Sequence, residues 1–400
     1  MKVNIKIFLD YTIVLMLLLC SGTVVFNIKY NSIFIPLWCL LAFMTNMLYN
    51  NMKGVKLPNR RRLILLITLI ILNSLFHLFD GIAMNGVAQI LFYILGTEFV
   101  CSSMSFQQFK KYYVDIVSIM SVFALGVLAL VNNGYIGYTK EKVNSGYYLL
   151  SFLHVVGWDD NLFNNRLCGM YHEPGMFQII LNIALLYIIN DFIMIVNFRV
   201  QRKRILQLLC IVFALFSTRS TTGYLVSGTI LIIFLIYKRN SIKNIWLKSL
   251  YWLSFPGFIF ILWKILSSDV ILNKFSKDNI SFSIRMNDLI SGIKLALAKP
   301  LWGFGYNSTL YTNVANSLDI DGTSNGFLEI TAMMGFPLIV VFLIVLYINA
   351  KRNSWNINAL LIMIIYLLES FTESWFFFPA SLIFYFSFRQ NSITGNANGD

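Results

Sequence analysis

The segment RLCGMYHEPGMFQII, which begins at Arg166, sets a guanidinium, an imidazole and a carboxylate directly before a long apolar run. His172 and Glu173 are the proton acceptors of this segment. Histidine titrates near neutral pH, and burial can raise a carboxyl into the same range, although neighbouring arginines pull it back down. The residue types leave the two as equal candidates for a general base. Two more arginines stand in polar breaks, Arg219 in STRSTTG and Arg285 in SFSIRMNDLISG. Guanidinium binds phosphate oxygens bidentately, so Arg166, Arg219 and Arg285 meeting on one face would clamp a phosphorylated anion. Pro174 suits the first turn of a helix, and Glu173 before it faces the positive end of that helix dipole, so capping is the plainer use of Glu173.

Other polar residues read as structural. His77 ends an apolar helix and His154 sits in a loop without a ligand-spaced partner, so no metal site is expected. Glu369 and Glu373, in LLESFTESWFFFP, are expected to pair with an arginine on their side of the membrane. The glycines of PLWGFGYN lie outside any strand-turn-helix context and read as a turn with close backbone packing, not a nucleotide loop. Four of the five cysteines lie in apolar runs and only Cys168 in a polar loop, which suggests neither a disulfide nor a zinc framework.

The elements that must position these residues are membrane helices. With 58% hydrophobic and 12% charged residues, the 400-residue chain reads as an all-α polytopic membrane protein. The start, MKVNIKIFLDYTIVLMLLLC, resembles a lipoprotein signal only superficially, because Leu19 stands where processing prefers a small residue; it reads as the first helix. Apolar runs predict about twelve segments, near 8–26, 32–50, 63–79, 82–101, 112–131, 174–197, 205–217, 222–237, 249–266, 327–349, 355–371 and 375–389. Alternate breaks hold about 20 of the 31 Lys and Arg residues. That bias puts both termini in the cytoplasm and two large polar loops, about 132–173 and 267–324, outside it. The +13 net charge therefore reports cytoplasmic loops and not nucleic acid. The tail, about 391–400, reads as disordered.

Two features of this frame bear on the arginines. The segments 205–217 and 222–237 are short for two crossings, so the turn between them should sink below the surface and carry Arg219 with it. The second loop holds an amphipathic helix around Ile284–Leu297, with Arg285 in its first turn.

Together these pieces resemble the Wzy-type polymerases of O-antigen and capsular polysaccharide, a family that includes the O-antigen ligases. The resemblance rests on RLCGMYHEPG, STRSTTGYL, RMNDLISGIKLALAKPLWGFGYN and TSNGFLEITAMMGFPL, in that order along the frame. It implies a glycosyltransferase of the bacterial cytoplasmic membrane that joins undecaprenyl-pyrophosphate-linked oligosaccharide repeats at the outer face, without metal or other cofactor. Arg166, Arg219 and Arg285 would bind the donor pyrophosphate, with Ser220 and Asn325 beside it. Glu173 or His172 would take the acceptor proton, and a flippase and a chain-length regulator would be partners. Ligases of the family carry a histidine where this chain has Ser324, which argues for a polymerase. A lipid-linked oligosaccharide flippase is the alternative of a different class, disfavoured because the two halves of the chain are unlike.

Overall fold

The computed structural model of the chain describes residues 5–49, 59–135, 141–142, 147–150, 154–158, 161–162, 166–194, 202–238, 280–317, 325–353 and 355–389. The expected segment 249–266 and the tail 391–400 lie outside the described residues. The protein is an all-α polytopic membrane protein with one small external sheet. Helices α1 (Ile5–Leu19), α2 (Asn31–Tyr49), α3 (Arg60–Phe76), α4 (Met84–Ser103) and α5 (Phe106–Asn132) come first. Strands β1 (Glu141–Lys142), β2 (Tyr147–Leu150), β3 (His154–Trp158) and β4 (Asn161–Leu162) then form an antiparallel meander. Helices α6 (Pro174–Met194), α7 (Arg202–Thr218), α8 (Thr221–Lys238), α9 (Ile280–Ala298) and α10 (Thr309–Ser317) follow. The described chain closes with α11 (Gly326–Met334), α12 (Phe336–Arg352), α13 (Ala359–Ser370) and the short α14 (Pro379–Leu382).

Among the described residues, five helices (α2, α4, α5, α6 and α8) have the length and apolarity to cross a membrane, and some of the expected segments take another form. Three differences have local causes. The run 327–349 is two helices, because Gly335 sits at φ 82 and its Cα packs against the Leu301 carbonyl; a Cβ there would lie 2.2 Å from that oxygen. The run 375–389 holds only the four-residue α14, followed by turns. The hairpin expected from 205–217 and 222–237 runs from residue 202 to 238, with 17 residues in α7 and 18 in α8. Each is about 26 Å long at 1.5 Å per residue. The basic residues Arg202–Arg204, read as a loop, form the first turn of α7.

Helix α6 is apolar on every side and is accordingly enclosed on every side, with 89% of its spanning window buried. Its few polar side chains all find use. Gln178 and Asn182 donate to the two carboxylate oxygens of Glu369 on α13, each at 2.8 Å. The expected arginine partner of Glu369 is thus replaced by two amides. Around α6, Phe106, Phe109, Tyr113, Tyr187, Trp355 and Phe388 make one aromatic cluster. Helices α2 and α4 approach most closely where Gly96 faces Trp38; a Cβ on Gly96 would lie 2.6 Å from the indole ring.

The two ends of the bundle differ in charge. At one end stand Arg60–Arg62, Lys110, Arg202–Arg204 and Lys351, with Lys203 bound to Asp115 at 2.9 Å and Lys110 and Arg204 both on Asp191. At the other end lie the turns after α1, α3 and α7, the loop before α6, and the turn 299–308. There the His77 ring bridges Asp80, 2.7 Å from Nδ1, and the Trp302 carbonyl, 3.2 Å from Nε2. This histidine ties the α3–α4 connection to the Gly-rich turn. The close backbone packing expected for that turn is present: Gly303 at φ 66 leaves no room for a Cβ, which would lie 2.5 Å from the Ala332 and Met333 backbone.

Candidate functional site

The loop before α6 is stitched into the end of the bundle that carries few basic residues. Leu167 N–H donates to the Ser217 carbonyl at 2.9 Å, and Arg166 Nε donates to the Thr218 carbonyl at 3.2 Å. On the other flank, Val24 N–H donates to the Met170 carbonyl at 3.1 Å and His172 N–H to the Gly22 carbonyl at 3.2 Å. The loop thus spans from the turn after α1 to the tip of the α7–α8 hairpin. Cys168 packs beneath it against Val24, Val25 and Val155. Burial pushes its thiol well above the usual range, so it is a packing residue and not a nucleophile.

Arg219 occupies the hairpin tip, exposed and in the left-handed region at φ 49. Ser220 follows it and accepts from Gly223 N–H at 3.3 Å, which starts α8. The Tyr224 hydroxyl donates to the Phe216 carbonyl at 2.8 Å and lies within electrostatic reach of both Arg219 and Arg166. These contacts bring two of the three predicted arginines to one place. The Arg166 and Glu173 charges both act on the Cys168 thiol between them.

His172 is half-buried, with Nδ1 2.9 Å from the Gly22 carbonyl. A carbonyl only accepts, so Nδ1 carries the hydrogen and the neutral ring keeps its acceptor lone pair on Nε2. Glu173, also half-buried, immediately precedes Pro174, and its carbonyl accepts from Phe177 N–H at 3.3 Å. It therefore begins α6, as the sequence predicts.

A second wall of the site comes from the turn 371–375. The Glu373 carboxylate lies over the first turn of α6, where a Cβ on Gly175 would be 1.6 Å from Oε1. The same turn lies over the first turn of α11, where a Cβ on Gly326 would be 2.2 Å from the Glu373 carbonyl. Asn325 caps α11 by accepting from Leu328 N–H at 3.1 Å. Two helix N-termini therefore converge on one turn, each offering partial positive charge. Arg285 is on α9 by its backbone, and its side chain lies outside the described residues. Its position shares a face with Asp288 and Gly292, and Gly292 packs on Leu328 of α11, 3.1 Å from the place of its absent Cβ. Ser324 also lies outside the described residues.

Sequence reasoning passed over Glu329. It stands on α11, one turn after its cap, and its carboxylate accepts a hydrogen bond from the Ser374 hydroxyl. It lines a cavity of about 190 Å³ with Gln89, Tyr93, Tyr306, Asn307 and Ser374. A lone carboxylate in the apolar run GFLEITAMM is the signal that would have found it. Among the described residues no group of three His, Cys, Asp or Glu side chains is placed to hold a metal ion.

Residues 206–343 match the family model described as O-antigen ligase. The match spans about a third of the chain, and over that segment the chain is similar to this family. The family segment holds Arg219, Ser220, Arg285, Asn325 and Glu329. Arg166, His172, Glu173 and Glu373 lie outside it, and only the fold carries them to its edge. The matched family covers polymerase and ligase functions in general, and the apolar helices make the chain a multi-pass membrane protein. No curated protein and no solved structure matches the chain.

Proposed function

We propose that the protein polymerises undecaprenyl-pyrophosphate-linked oligosaccharide repeats at the outer face of the cytoplasmic membrane. The observation that carries this reading is the hydrogen-bonded junction of the Arg166 loop with the Arg219 tip, beside the N-terminus of α6. Two guanidiniums and a helix N-terminus make a place for a pyrophosphate. The junction lies at the end of the bundle away from Arg60–Arg62, Lys110, Arg202–Arg204 and Lys351. By the positive-inside bias, that end faces out of the cytoplasm.

In the reaction, a sugar hydroxyl of the acceptor repeat attacks the anomeric carbon of the donor glycan. The carbon–oxygen bond to the pyrophosphate breaks, and the bonding electrons leave with the lipid pyrophosphate. Arg166 and Arg219, with Arg285 arriving on α9, stabilise the charge that develops on it, the kind of electrostatic assistance that usually supplies most of a rate enhancement. The acceptor proton passes to His172 or Glu173. His172 is prepared for this by the Gly22 carbonyl, which holds the tautomer that can accept at Nε2.

A ligase would use the same donor chemistry on a lipid acceptor, and the family description favours keeping that reading in the test. Purified protein in liposomes is given a synthetic undecaprenyl-pyrophosphate repeat unit, with and without a lipid A–core acceptor, and products are resolved on a gel. A ladder of increasing length without the core acceptor, lost in Arg166→Ala and Arg219→Ala of normal folding, is the expected result. Transfer only to the core acceptor would make the protein a ligase, and movement of intact lipid without new bonds would make it a flippase.

A further inference from the structure

The Glu329 cavity is lined by Ser374 of the 371–375 turn, and it is built differently from the arginine junction. Its rim is amide, phenol, hydroxyl and carboxylate, and its wall is aromatic, from Phe376 to Phe378. Gln89 Nε2 donates to the Tyr93 hydroxyl at 2.7 Å, and that hydroxyl donates in turn to Asn27 Oδ1 at 2.5 Å, which fixes the Gln89 amide at the cavity rim. Tyr306 is within electrostatic reach of Glu329, and Asn307 is held in the left-handed region at φ 47. Such a mixture of aromatic faces and a few convergent hydrogen-bonding groups suits a ligand with an apolar face and many hydroxyls. Among the described residues no arginine or lysine lines it.

A larger cavity of about 360 Å³ adjoins it between α2 and α4, lined by Asn31, Ser32, Asn85, Gly86 and Gln89. Gln89 belongs to both cavities. Gly86 lies at the boundary, where a Cβ would be 3.2 Å from the Tyr306 ring and 3.6 Å from Asn307 Nδ2. The two spaces meet at Gln89 and together make a path of mixed polar and apolar lining from Glu329 to Asn31 and Asn85, in the first turns of α2 and α4. The smaller chamber has room for a single monosaccharide ring, and the larger one for the units that follow.

We infer that this path is a glycan-binding groove, with Glu329 and Ser374 gripping the hydroxyls of one uncharged sugar and Gln89 marking the crossing to the next. The inference rests on the reading of the chain as a glycan-transferring enzyme and names where that enzyme holds its carbohydrate. The carboxylate sets a preference. A uronic acid would bring like charge against Glu329, so neutral and N-acetylated sugars are favoured.

The test is saturation-transfer NMR on the full chain in lauryldimethylamine oxide, a detergent without a sugar headgroup. Glucose, galactose, N-acetylglucosamine and glucuronate are each supplied at millimolar concentration. Transfer to at least one neutral sugar is expected, with at least a fivefold weaker signal for glucuronate and for the variants Glu329→Gln and Gln89→Ala. Gln89 is only half-buried, so its variant carries the same readout if Glu329→Gln loses its monodisperse elution. No transfer to any sugar from wild type, or undiminished transfer in the folded variants, overturns the groove. Because binding is read without turnover, either result stands whatever the polymerisation gel shows; a ladder without sugar transfer would retain the polymerase and discard the groove.

Discussion

Arg219 holds φ 49, in a backbone region that an L side chain enters at a cost of about 1 kcal/mol and glycine enters freely. A residue kept in such a conformation at a hairpin tip is there for its side chain. Arg219→Gly separates the two roles. The variant is expected to melt at the same temperature as wild type or a few degrees higher, and to lose polymerisation. Equal loss of stability and activity would mean that Arg219 serves the turn. His172 illustrates the other kind of placement, in which the neighbour does the work: the Gly22 carbonyl at 2.9 Å selects the tautomer, and no residue type at position 22 could be inferred to do so from sequence. Glu369 was misjudged for a related reason. Its amide partners lie 191 and 187 positions away in the chain, so only the fold reveals that they replace an arginine.

The elements were legible where chemistry marks their ends. Pro174 after a polar loop gives the start of α6, and Asn325 before GFLE gives the cap of α11. They were misread where a strong signal hid a weak one. The apolar run 327–349 concealed the Gly-Phe-Pro break at Gly335, although Gly and Pro are the usual punctuation of helices. Arg202–Arg204 read as loop because they are charged, yet arginine is a good helix former with a long stem that lets its head reach water. The strands in 141–162 carried the aromatic and β-branched pattern of YYLL and HVVGW and went unread inside a polar loop. The turn 371–375 supplies the test at this scale. Gly175→Ala meets the mobile end of the Glu373 side chain, which can swing aside, and is expected to destabilise by about 1 kcal/mol or less. Gly326→Ala meets the backbone of residues 373 and 374, which cannot, and is expected to cost about 3 kcal/mol or more. Thermal melts of the two variants that fail to differ in this order would show that the turn is not wedged between α6 and α11.

At the scale of the whole molecule, the all-α membrane class followed from composition, whereas the bounds of several helices did not. The apolar runs specify burial, and in this protein burial comes from other helices as well as from lipid: α6 scarcely meets lipid at all. Orientation is testable directly. Ser217→Cys, at the Arg219 end, is expected to react with an impermeant maleimide on intact cells, and Lys111→Cys only after permeabilisation. The reverse pattern would put the arginine site in the cytoplasm and end the proposal of polymerisation outside it.

The last described residues have a consequence for how the protein is made. Asn59, at the head of α3, accepts from both the backbone and the side chain of Ser387, at 3.1 and 2.6 Å, while it donates to the Glu98 carboxylate on α4 at 2.8 Å. Arg389 N–H closes on the Cys101 carbonyl at 3.0 Å, and Ala380 N–H on the Ser21 hydroxyl at 2.9 Å. Ser21, Asn59 and the Cys101 carbonyl therefore wait for residues 380–389 before these hydrogen bonds form. Residues 380–389 act as a clasp on the first helices, so a product interrupted before them would leave Ser21, Asn59 and the Cys101 carbonyl without these partners.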